Sequence, residues 1–74
     1  MTYYEITNAR VQRRNARNQR RTSSLAELRA AVEKAGFENL RRAVGFGGSM
    51  VWWANLKGLR QEECSLVAVE REMA

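Results

Sequence analysis

Seventy-four residues make one small domain, and a single cysteine, Cys64, leaves no disulfide to hold it together. The sequence has no histidine and no aspartate, which removes the commonest general base and metal ligand and weighs against an enzyme or a cofactor site. The net charge of +5 is local: residues 1–24 carry six arginines against Glu5 alone, whereas residues 25–74 balance seven positive with seven negative charges.

The longest uninterrupted apolar run, Met50 to Ala54, has five residues, far short of the roughly twenty that a membrane helix needs. A lone cysteine suits a reducing compartment. A cytoplasmic, non-enzymatic binding protein is expected, with no membrane contact and no small-molecule substrate.

In chain order, residues 2–9 are aromatic and β-branched and predict a strand. Residues 10–21 offer almost nothing to bury; a long loop, a continuation of the strand, and a helix formed on a partner all remain open. Ser24 and Glu27 form an S-x-x-E capping box. Leu25, Leu28, Val32 and Ala35 then recur at helical spacing, and Gly36 sits where a left-handed cap ends a helix, with Phe37 placed to touch Val32. Residues 38–46 read as either a short helix or a strand, the latter favoured by the alternation of Leu40, Arg42, Val44 and Phe46. Gly47-Gly48 predicts a two-residue hairpin turn. Met50 to Leu56 predicts a strand, Lys57 to Glu62 a turn, and Cys64 to Glu70 the last strand. Glu62 and Glu63 fit a solvated turn better than an acid–base pair. The expected class is α+β, with one helix on a small, mostly antiparallel sheet in the order β-α-(β)-β-β. The first strand and the strand after the helix are expected to be parallel neighbours.

Arg10, Arg13, Arg14, Arg17, Arg20 and Arg21 are the main candidates for function. On one continuous helix they would fall within an arc of about 120°. Gln12, Asn15, Asn18 and Gln19 lie between them. Guanidinium groups bind phosphates in a bidentate manner and stack on bases, and amides read base edges. In composition and spacing the stretch resembles the arginine-rich RNA-binding peptides of phage antiterminators and retroviral regulators. The bland alternative is a solvated loop.

Trp52 and Trp53 are adjacent, so in a strand they point to opposite faces. One belongs in the core and the other on the open face, where it can stack a base or anchor a protein. Which of the two lies outside stays open. A two-residue turn at Gly47-Gly48 would set Phe46 opposite Ser49, Val44 opposite Val51 and Arg42 opposite Trp53, which makes Arg42 and Trp53 further candidates. Read as a phosphate loop, Gly45 to Gly48 lacks the lysine and hydroxyl that such a loop requires.

The expected partner is nucleic acid or a nucleic-acid-binding protein complex; a homo-oligomer built on the open face is also kept open. In size, order of elements and the strand, "SSLAEL" helix and late hairpin, the chain resembles small phage-encoded anti-CRISPR proteins. That resemblance implies a non-enzymatic inhibitor of a nucleic-acid-binding host complex.

Overall fold

A computed structural model describes residues 1–60 and 63–73, leaving aside the side chain of Phe46. The assignment of Glu62 to a turn therefore falls outside the described part, whereas the Phe46 backbone opens a turn of 3-10 helix (Phe46–Gly48) and is not paired with Ser49 as expected.

The first strand, β1 (Thr2–Ile6), ends earlier than the composition of residues 2–9 suggests. Asn8 stops it: its side chain accepts hydrogen bonds from the backbone N–H groups of Arg10 and Val11 at 3.0 and 3.3 Å and caps a six-residue helix, α1 (Ala9–Arg14). A single turn of 3-10 helix (Ala16–Asn18) and a two-residue strand, β2 (Arg21–Thr22), complete the basic segment. Residues 10–21 are thus neither a loop nor a continuation of β1. They do have something to bury, because Val11 is wholly inaccessible to solvent.

Helix α2 (Leu25–Lys34) starts where expected and ends one residue before Ala35, which forms its C-cap. The Ser24 hydroxyl accepts from the Glu27 N–H at 3.2 Å. The other half of the capping box is replaced, since the Ser24 N–H donates to the Thr22 hydroxyl at 3.1 Å. Gly36, at φ +88°, takes the left-handed turn after the helix, and its N–H donates to the Glu33 carbonyl at 3.0 Å.

The ambiguous segment is a strand, β3 (Phe37–Val44). Asn39 at φ 58° lies in a bulge between Glu38 and Arg41, and an asparagine tolerates that conformation better than most residues. Strands β4 (Met50–Leu56) and β5 (Cys64–Glu72) follow.

The sheet order is β2-β1-β5-β4-β3, and every pairing is antiparallel. The expected parallel pairing of β1 with β3 is therefore wrong: β5 and β4 lie between them. The middle strand, β5, is flanked on both sides, and its Val67 and Ala68 are fully buried. β3, carrying Glu38, Arg41 and Arg42, takes an edge, where charged side chains also discourage pairing with another chain.

Both helices pack on one face of the sheet. Leu28, Ala31, Val32 and Ala35 of α2 and its cap join Val11 of α1 against Ile6, Phe37, Trp52, Ala54, Val67 and Ala68. Among the described residues, no helix is long and apolar enough to cross a membrane.

Candidate nucleic-acid interface

The six arginines are fixed by three different local devices. Arg10, Arg13 and Arg14 stand exposed on α1, which Val11 anchors to the core. The helix stops at Asn15, whose backbone is extended (φ −77°, ψ 153°). Asn15 is 4% exposed, and both ends of its amide are used: the oxygen accepts from the Ala16 N–H at 3.0 Å, and the nitrogen donates to the Gln19 carbonyl at 3.1 Å. Arg17 and Asn18 then take left-handed conformations at φ 57° and 54°, reversing the chain. Arg20 leads into β2, and its carbonyl accepts from the Ile6 N–H at 2.7 Å. Arg21 lies in β2 opposite Glu5, with its guanidinium 5.7 Å from the centre of the Tyr3 ring.

The single helical arc expected for these residues is therefore not formed. Three arginines share α1, and the other three follow the turn and the sheet edge. Five of the six, all but Arg17, line two concavities instead. One, of about 440 Å³, is bordered by Arg10, Arg13, Arg14 and Ala35. The other, of about 490 Å³, includes Gln12, Arg20 and Arg21 beside Glu5.

Of the eleven arginines, only Arg42 and Arg71 have a carboxylate within salt-bridge distance among the described residues. Arg10, Arg13, Arg14, Arg17 and Arg20 have no carboxylate within salt-bridge distance among the described residues. Arg71 reaches Glu5 at 3.7 Å. Arg42 is bound to Glu70 through two parallel hydrogen bonds, Nε to Oε1 at 3.0 Å and Nη2 to Oε2 at 2.6 Å. The Arg42 guanidinium, with help from the Trp52 N–H, holds the Glu70 carboxyl below the usual glutamate range against the opposing effect of burial. Glu70 in turn raises the Arg42 pKa further.

The expected neighbour of Arg42 was Trp53; its cross-strand partner is Trp52. The hairpin accounts for the difference. The chain leaves the ladder at Val44 and rejoins it at Met50, and the Gly45 N–H donates to the Ser49 carbonyl at 2.7 Å. Five residues form the connection instead of two. That shifts the register by one residue, which moves Arg42 to the opposite face.

Trp52 belongs to the core. It is 7% exposed, meets Tyr4 edge to face at 5.9 Å, and donates its N–H to Glu70 at 3.3 Å. Trp53 occupies the other face. It is half-buried, and its indole N–H has no hydrogen-bond partner among the described residues.

Two residues absent from the sequence-based candidates share that face. Tyr3 lies opposite Arg71, and Arg41 lies opposite Trp53. Arg41 is held in place by Nη1, which donates to the Asn39 carbonyl at 2.8 Å and to Asn55 Oδ1 at 2.7 Å. Strand parity alone would have placed Tyr3 away from Tyr4, but only the register puts Tyr3 and Arg41 on the face of Trp53. No group of three acidic, cysteine or histidine side chains is positioned to hold a metal ion among the described residues, and Cys64 is exposed. Comparison with protein-family models, with curated proteins and with solved structures found no match.

Proposed function

We propose that the chain is a small, non-enzymatic basic module that binds nucleic acid, either free or within a ribonucleoprotein complex. One observation carries this reading: five arginines within eleven residues are held at the surface without a carboxylate partner among the described residues. Six arginines this close repel one another, so fixing them in place is unfavourable until a polyanion neutralises them. The segment is nevertheless built, with Asn8 capping its helix, Val11 anchoring it and Asn15 bracing its turn. A solvating tail needs none of these. The lack of histidine and aspartate supports a binding role over catalysis.

The test replaces Arg13, Arg14, Arg17 and Arg20 with glutamine. All four are exposed, so folding should be preserved. Affinity for RNA and DNA oligonucleotides is then followed as a function of salt. The slope of log affinity against log salt should flatten by about 0.7–0.9 for each phosphate that the variant no longer neutralises. A lysine version should recover part of the affinity, since it restores charge without the bidentate fork. Wild-type affinity in the folded glutamine variant would refute the proposal. A pull-down from lysate with and without nuclease addresses the second form of the ligand. Capture that survives nuclease, together with weak binding to bare oligonucleotides, would indicate an inhibitor that occupies the nucleic-acid groove of a host complex.

A further inference from the structure

We infer that the open face of the sheet is a stacking platform for single-stranded nucleic acid, with Trp53 and Tyr3 as the stacking side chains. This rests on the nucleic-acid reading above and assigns the form of the ligand.

Cross-strand partners share a face. The register therefore gathers Tyr3, Arg21, Val51, Trp53, Arg41 and Arg71 on the side of the sheet opposite the helices. The connection after β4 reaches one end of this face, where Asn55 donates to the Arg60 carbonyl at 3.2 Å. Both helices lie on the other side. From strand spacing and rise, Tyr3 and Trp53 stand roughly 16 Å apart. An extended strand of a few nucleotides covers that distance.

Trp53 is suited to a planar ligand. Beside it lies a shallow apolar cavity of about 340 Å³, also lined by Val44, Gly45 and Val51. Gly45 lets the hairpin close at this point, since a Cβ there would come within 2.7 Å of Val51 Cγ1. The Trp53 N–H reaches solvent, in contrast to that of Trp52, which Glu70 already engages.

The charges fit the same ligand. The face carries Arg21, Arg41 and Arg71 against Glu5 and Glu38, and Glu5 is already paired with Arg71. Arg21 extends the basic segment onto this face over Tyr3. Phosphates thus meet Arg21 and Arg41 on the two outer strands while bases meet the rings on the strands between them. A second copy of the chain laid face to face would bring these arginines toward their own kind. A duplex fits less well, because its bases are stacked on one another and are closed to a side-chain ring. The one helix that bears arginines in the basic segment, α1, has six residues and is anchored to the core by Val11, which leaves it too short to read a groove.

The experiment titrates the intact protein with a short oligouridylate and, separately, with an RNA duplex of the same length. Tryptophan emission and affinity are read for the wild type, Trp53→Tyr and Trp53→Ala. The single strand should quench wild-type emission. Trp53→Tyr, whose remaining indole is the buried Trp52, should bind within a few-fold of wild type without that quenching. Folded Trp53→Ala should bind about tenfold or more weakly with an unchanged salt slope. The duplex should leave emission unaltered.

Binding without quenching of Trp53, or wild-type affinity in folded Trp53→Ala, would overturn the platform while leaving the arginine reading intact. If Trp53→Ala does not fold, the emission difference between wild type and Trp53→Tyr decides. Failure of every oligonucleotide to bind would refute the platform and the free-nucleic-acid form of the function, and the nuclease-treated pull-down would then decide the form within a complex. A concentration-dependent dimer in sedimentation that Trp53→Tyr or Trp53→Ala abolishes would make the face a contact between copies and refute the platform.

Discussion

Replacing Val11 with alanine tests whether the basic segment is a built element of the free protein or an arm that folds on its partner. Val11 is wholly buried and belongs to the same core cluster as Ile6, Leu28 and Ala35. The substitution removes two methyl groups. At about 0.8 kcal/mol per buried carbon, the transfer energy given up is about 1.6 kcal/mol. A cavity of roughly 50 Å³ would add about 1.2 kcal/mol if nothing collapsed into it, at about 24 cal/mol per Å³. The expected loss is therefore about 1.5–3 kcal/mol, against a total stability on the order of 4–11 kcal/mol for a chain of this size. Thermal unfolding followed by circular dichroism should show a melting temperature lower by roughly 6–24 °C. Arg13→Ala, an exposed change in the same helix, serves as the control and should shift stability by about 0.5 kcal/mol or less. A melting temperature equal to wild type in Val11→Ala would mean that α1 is not docked in the free protein, and the preformed arrangement of Arg10, Arg13 and Arg14 would have to be given up.

Leu28→Ala should lose roughly 2–5 kcal/mol, because Leu28 is fully buried in the same core; denaturant unfolding measures it, and an unchanged midpoint would contradict the packing of α2. Ser24→Ala removes the cap on the Glu27 N–H and should lower stability by about 0.5–2 kcal/mol in the same assay. Glu70 gives a pH dependence with a defined sign. Its pKa is lowered in the folded protein, chiefly by the hydrogen bonds from Arg42. The stability it contributes is present above the ordinary glutamate value of about 4.3 and is lost as the pH falls through the lowered one. Arg42→Gln should therefore melt below wild type near neutral pH, with the gap narrowing in acid; a gap independent of pH would exclude this pairing as its source.

Where a signal was local, the sequence alone was enough. Ser24 and Gly36 bound α2 because a capping hydroxyl and a left-handed glycine act within one turn of the chain. Met50 to Leu56 was legible as a strand from its own side chains, and the concentration of charge in residues 1–24 is a property of composition. The cap formed by Asn8 was also present in the sequence, but with only Val11 to bury, the short helix behind it left too weak a periodicity to find.

The remaining features depend on pairings between distant residues. Arg42 is committed to Glu70, 28 residues away, and nothing near Arg42 in the chain announces it. The order of the strands, with the last of them in the middle of the sheet, is a choice made by competition among faces and not by any one segment. The adjacency of the two tryptophans showed that they would part. Which one faced outward waited on the five-residue hairpin and the side on which the helices packed, since a shift of one residue exchanges the faces of a strand without changing its local preferences.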